Sequence, residues 1–321
     1  MQTFAKPIVV ASKCLEFAAC RFNGQTISDA FVRSLRDYVD FITVCPEVEI
    51  GLGAPREPVR VVSKADQKTL FQPATCKDFT SKMENFSRAF LGSLDPVDGF
   101  ILKGRSPSCG PKGVRIYSEK GSLLANGSGF FGQAVVDKFP GLAAEEEGRL
   151  RNFRIREHFL TKLFTLARFR EVKCSNSMNA LVDFQADNKL VFMTYNQKTM
   201  RAMGRIVANP QKRAFHELIP EYEAELKKTF ARMPKIGSNI NVLLHAFGYF
   251  SKRLSKEEKA FFLDLLEKYR ELKSPLSAVL SVLNSWIARF DQKYLARQTF
   301  FEPYPEALRE ISDSGKGRDL P

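Results

Sequence analysis

FITVCPEVE, residues Phe41 to Glu49, is the stretch on which the reading of this chain turns. Phe41, Ile42, Thr43 and Val44 are aromatic or β-branched and predict a short buried strand. Cys45 follows the strand, Pro46 ends it and Glu47 comes next. A thiol, a turn and a carboxylate therefore stand at a strand's C-terminal tip, the rim where open α/β sheets bind ligands. The pattern recurs twice. PIVVAS, Pro7 to Ser12, leads to Cys14, and GFIL, Gly99 to Leu102, leads through KGRSPS to Cys109. Three predicted strands each deliver one cysteine to one sheet rim.

Around these strands the first half alternates strand and helix signals. Val59 to Val62 and Val114 to Tyr117 read as further strands of the sheet. Phe79, Met83, Phe86 and Phe90 mark a helix over about residues 77–94, and GSGFFG, Gly127 to Gly132, opens another. This predicts an α/β domain over residues 1–150 with a mainly parallel, doubly wound sheet. The run Glu145-Glu146-Glu147 reads as a charged boundary stretch near residues 147–152. Residues 151–321 read as all-α: helical spacing of apolar residues continues from Ile155, and Ser255-Lys-Glu-Glu258 is a capping box. The tail ending ISDSGKGRDLP reads as frayed.

The 321 residues carry a formal net charge of +13. Residues 1–150 hold 19 Lys and Arg against 17 Asp and Glu, and residues 151–321 hold 30 against 19. A basic half beside a near-neutral one suggests a polyanion, most often nucleic acid, although a generically basic surface is the alternative. No apolar run approaches the ~20 residues of a membrane span. Without a basic leader or cleavage site at the start, a cytoplasmic location is expected.

Five of the six cysteines lie in the first half. Cys14, Cys45 and Cys109 are too far apart in sequence for a zinc knuckle. Converging at one rim, they suit a metal or an iron–sulfur cluster with an open position; core cysteines beside one catalytic thiol remain the alternative. Cys76 and Cys174 read as small buried hydrophobes.

SKCL…CRFNG, VCPEVEIGLGAPREP, GFILKGRSPSCGPKGVRIY and EEEGRL together closely resemble the thiouracil desulfurase family over about residues 5–150. The resemblance implies a [4Fe-4S] cluster held by Cys14, Cys45 and Cys109, with one iron lacking a protein ligand. It implies catalytic roles for Glu47 and for a serine of the SPSC motif, Ser106 or Ser108, with Ser106 preferred. Cys20 is no ligand in that pattern. Many relatives have KSRSPSC, where this chain has Gly104. An open iron is a soft Lewis acid suited to a thiocarbonyl sulfur, and Glu47 would move the protons of water addition without net redox change. Without the resemblance, Glu47 could equally pair with Arg56, and the serines could cap a turn.

IREHFLTKLFTLAR, MGRIVANP, INVLLHAFGYFSKRLSKEEKAFF and QTFFEPYPEALR resemble a helical domain of unknown function often fused behind the first. Such fusions are associated with desulfuration of 4-thiouridine in tRNA. The resemblance and the charge together nominate Arg154, Lys162, Arg168, Arg201 and Arg205 as RNA phosphate contacts. The expected function is a tRNA 4-thiouridine desulfurase. The alternatives are a desulfurase of free thiouracil and a cluster-bearing RNA-binding regulator without turnover.

Overall fold

The structure, a computed structural model, describes residues 4–64 and 67–309; the end of the tail expected to fray lies outside the described residues. The described chain forms two units, one of residues 4–170 with 305–309, the other Glu171–Tyr304.

The first unit runs β1 (Ile8–Ser12), α1 (Ala30–Ser34), β2 (Asp40–Val44), α2 (Pro46–Glu49), β3 (Arg60–Lys64), β4 (Gln67–Gln72), β5 (Lys77–Asp78), α3 (Thr80–Ser93), β6 (Gly99–Leu102), β7 (Val114–Ser118), β8 (Leu123–Gly127), α4 (Phe130–Lys138), β9 (Ala143–Glu146) and α5 (Phe153–Ser175), of which residues up to Arg170 belong here. Its principal sheet is four-stranded and wholly parallel, in the order β2-β1-β6-β9. Strand order reverses direction about β1, so the rim beyond β1 and its neighbours is a topological switch point. Val10, Val44, Phe100 and Leu102 pack with Met83 and Leu91 of α3 and Phe131 and Val135 of α4 in one buried cluster. Arg170 of α5 is anchored to the same unit: its Nε donates to both oxygens of Asp98, each at 3.1 Å. Asp98 in turn accepts from the Ile8 amide at 2.8 Å, fixing the start of β1.

The strands of the first half do not all join one sheet, as the sequence pattern suggested. Val59 to Val62 and Val114 to Tyr117 belong to a second, mixed sheet in the order β5-β4-β3-β7-β8, whose pairs are antiparallel except β3 with β7. The acidic run read as a boundary is largely strand: Glu145 and Glu146 pair with Ile101 and Leu102 at the edge of the parallel sheet.

The described residues of the second unit are helical: α6 (Met178–Asp187), α7 (Lys189–Tyr195), α8 (Gln197–Ala208), α9 (Phe215–Thr229), α10 (Ile236–Gly248), α11 (Lys256–Arg270), α12 (Leu276–Phe290) and α13 (Lys293–Ala296). The capping box forms as expected: Ser255 Oγ accepts from Glu258 N at 3.2 Å, and Glu258 Oε2 from Ser255 N at 2.7 Å. Trp286 is buried among Phe247, Phe250 and Phe262. No helix among the described residues is long and apolar enough to cross a membrane.

Candidate active site

Each of the three strand tips is shaped by local backbone geometry. After β1, Lys13 N donates to Val44 O at 2.8 Å and Leu15 N to Ser12 O at 2.9 Å, turning the chain at Cys14. After β2, Cys45 is extended (φ −120°) and caps α2, with Pro46 at its first position. Proline suits that position because its missing N–H would have no helical partner there. The short helix then carries Glu47 inward, to 9% exposure. After β6, Ser106 Oγ accepts from the amides of Cys109 at 3.1 Å and Ser108 at 3.3 Å. The GSGFFG turn cradles this loop: Gly129 N donates to Gly110 O at 2.8 Å, and Gly132 N to Ser108 O at 3.0 Å. A Cβ at Gly132 would lie 2.5 Å from Gly110 O and 2.6 Å from Cys109 O, so only glycine permits the approach.

These tips face one cavity of about 300 Å³, lined by Cys14, Cys20, Cys45, Cys109, Glu47, Arg56, Lys103 and Ser106. All four cysteines are buried. Burial and the neighbouring Cys45 charge push the Cys14 thiol up to about 11. Burial pushes Cys20 up to about 12 and Cys109 well above the usual thiol range. Without a cation these thiols stay protonated, whereas a soft metal would bind them as thiolates and release protons. Among the described residues no three His, Cys, Asp or Glu side chains are placed as ligands of a single ion. Several soft donors around a cavity of this size fit a multi-atom iron–sulfur group in chemistry and in room.

Glu47 is held on both sides. Ser108 Oγ donates to Oε1 at 2.9 Å; Arg56 Nε and Nη2 approach Oε2 at 2.8 and 2.7 Å. Arg56 Nη1 also donates to the carbonyls of Cys20 at 2.9 Å and Gly53 at 2.6 Å. The two serines thus do different things: Ser106 lines the cavity and orders the Cys109 loop, while fully buried Ser108 holds the carboxylate. Lys103 and Glu147, which no motif reading singled out, also shape this rim. Lys103 Nζ pairs with Glu147 and donates to Gly104 O at 2.8 Å; Glu147 Oε2 accepts from Gly104 N at 2.6 Å. A Cβ at Gly104 would meet Glu146 Oε2 at 2.7 Å, so a larger residue there would require the Glu146 side chain to shift. Arg21 and Arg105 also line the cavity, with no ion-pair partner among the described residues.

The nominated RNA contacts are divided between the two units. Arg154 is exposed, Arg168 half-buried and Lys162 9% exposed, all on α5 in the first unit. Burial lowers the Lys162 ammonium to about 8. Arg201 and Arg205 are exposed on α8 in the second unit, one turn apart. Cys76 and Cys174 are both exposed, contrary to expectation; Cys76 sits in a left-handed turn (φ +53°).

Residues 9–147 match the 2-thiouracil desulfurase family, and residues 189–305 match DUF1722, a family of unknown function. YbgA, an uncharacterized protein of Escherichia coli K12, is 26% identical over 157 residues, 48% of this chain and 93% of that protein. YbbK, an uncharacterized protein of Bacillus subtilis 168, is 28% identical over 112 residues, 32% of this chain and 73% of that protein. The solved structure of TudS, a [4Fe-4S]-dependent thiouracil desulfidase, is 27% identical with a TM-score of 0.37, covering 45% of this chain and 93% of that one. The chain is therefore a fusion, with a 2-thiouracil desulfurase family domain at residues 9–147 followed by a DUF1722 helical domain at residues 189–305.

Proposed function

We propose that this chain removes sulfur from a thiolated pyrimidine, with Cys14, Cys45 and Cys109 holding a [4Fe-4S] cluster, and that its substrate is 4-thiouridine in tRNA. The observation that carries the proposal is the meeting of strand-tip thiols and a hydrogen-bonded carboxylate at one cavity. When bound, the cluster would supply a soft Lewis-acidic iron for the thiocarbonyl sulfur. The residues supply the rest. Glu47, oriented by Arg56 and Ser108, takes a proton from water as its oxygen adds to the ring carbon, and returns it to the departing sulfur or ring nitrogen. The C–S bond breaks, C=O replaces C=S and sulfur leaves as sulfide, so no electrons enter or leave. Ser106 orients the water or the ring from the cavity wall.

Two observations favour an RNA substrate. Arg21 and Arg105 line the cavity without acidic partners among the described residues, open to an anionic group. Residues 188–216 contain six Lys and Arg and no Asp or Glu. Within them Lys198, Arg201 and Arg205 are exposed along one face of α8. We assign phosphate contact to these and to Arg154; buried Lys162 has no path to a phosphate without leaving its packing. The target base must leave its stack to reach the cavity. A second reading, turnover of a free thiobase in the cytoplasm, is favoured by the family's description and by a cavity of about 300 Å³. Arg201→Glu with Arg205→Glu separates them: the RNA reading expects weaker tRNA binding and turnover with free thiouracil turnover intact. Unchanged tRNA turnover would favour the free-base reading.

A further inference from the structure

The proposed chemistry engages the edge of a pyrimidine, at its thiocarbonyl and ring nitrogen, and leaves the flat faces of the ring without a partner. Among the described residues lining the cavity one is aromatic, Phe22, beside the apolar Pro46, Pro58, Val59 and Pro107. Phe22 is 42% exposed. An exposed phenylalanine is ordinary on an open surface, but this one lines a cavity that carries a carboxylate and buried thiols. Its backbone is fixed in the loop between β1 and α1. Phe22 O accepts from Arg56 N at 2.7 Å, which ties it to the arginine that orients Glu47. Gly24 N donates to Arg21 O at 2.9 Å, closing a turn around Phe22 in which Gly24 has φ +71°, a conformation suited to glycine. The Arg21 guanidinium stands over the Phe22 ring, 5.5 Å from its centroid, and steadies it by a cation–π contact.

We infer that Phe22 is a substrate-binding residue whose ring stacks on the face of the thiolated pyrimidine. This rests on the substrate class proposed above and holds for the free base and for the flipped base of an RNA alike, since both present the same π-face. Stacking does not distinguish a thiocarbonyl from a carbonyl, so the ring holds uracil, the product, as it holds thiouracil. The discrimination lies at the edge, with the thiols and Glu47. A contact equal in the ground and transition states lowers KM and leaves kcat alone, which separates Phe22 from the groups that do the chemistry.

The test uses full-length wild type, Phe22→Ala and Phe22→Tyr, each reconstituted anaerobically with iron and sulfide. Uracil binding by calorimetry, KM and kcat with free 4-thiouracil, and iron per chain are the readouts. In F22A the uracil Kd and the KM are expected to rise together by about 5- to 150-fold, the range for losing one base–aromatic stack, with kcat and iron unchanged. F22Y keeps the ring and is expected to keep wild-type values. An unmoved Kd and KM in F22A overturn the inference and leave the desulfurase reading standing. A fall in kcat or iron with KM unmoved also overturns it, because Phe22 would then only support the loop. Uracil binding that is present in wild type, lost in F22A and accompanied by no turnover supports the stack and removes the desulfurase reading. A wild type that binds no uracil and turns over no thiouracil overturns the inference.

Discussion

Arg56→Ala removes the group that ties the carboxylate, the Cys20 loop and the turn at Gly53 together. The Arg56 side chain is 5% exposed and the Glu47 side chain 11%, so the pair is shielded from solvent. Truncating the arginine leaves a buried carboxylate with Ser108 as its remaining hydrogen-bond donor. Breaking a buried pair from one side costs roughly 3–5 kcal/mol, because the surviving charge is uncompensated. For a unit of this size each kcal/mol lowers Tm by about 2–4 °C, giving a fall of roughly 6–20 °C. Adding Glu47→Gln removes the stranded charge, so the double variant should recover much of the loss. The assay is differential scanning calorimetry of the metal-free full chain, resolving the transition of the first unit. Trp286 lies in the second unit, so its fluorescence is the wrong probe. A loss below about 1 kcal/mol in R56A, or strict additivity of the two substitutions, would refute the buried pairing and with it the orientation of Glu47.

Three further outcomes follow from other residues. Burial, with Lys162 nearby, depresses His158 from its ordinary 6.5 to about 4. The unfolded chain therefore binds the extra proton first: stability is complete above pH 6.5 and falls by up to about 3 kcal/mol toward pH 4, and His158→Gln should flatten this slope in denaturant titrations across that range. Gly132→Ala drives a Cβ against the carbonyls of Gly110 and Cys109, so it should cost about 1–3 kcal/mol and lower the iron retained; wild-type Tm and iron content would contradict the cradle described here. The salt dependence of tRNA binding should be shallower in R201E/R205E than in wild type; an unchanged slope would remove α8 from the RNA contact.

Three of the four strands of the parallel sheet were legible because they are short apolar runs, each leading to a cysteine. PIVVAS, FITV and GFIL state both the fold and the rim. Of the second sheet only β3 and β7 were legible as strands, and the rest was hidden for the converse reason. QKTLFQ and LLANG are exposed or polar along much of their length, so β4 and β8 lack the buried pattern that marks a strand. The acidic letters of Glu145 and Glu146 hid β9, whose edge position leaves their side chains partly in solvent. At the site, the thiols and Glu47 stood out by position in the motifs. What the spacing could not distribute was the work of the two serines. Which hydroxyl reaches Glu47 depends on the turn that Ser106 itself stabilises, and that geometry exists only once Gly129 and Gly132 have closed under the loop. Glu147 was opaque for a similar reason: its partner Lys103 lies 44 residues away, on the neighbouring strand's tip.

The proposed joint action of these thiols and Glu47 is the desulfuration of a thiolated pyrimidine. It is tested by mixing anaerobically reconstituted full-length protein with 4-thiouridine-containing tRNA. The near-ultraviolet band of 4-thiouridine and the sulfide released are followed together. The expected result is one sulfide per 4-thiouridine lost, no reaction in Cys109→Ala, and a loss of about 10²–10⁴-fold in Glu47→Gln with its cluster retained. Protein shown to carry its cluster, yet leaving both tRNA and free thiouracil unchanged, or an undiminished rate in E47Q, would contradict it.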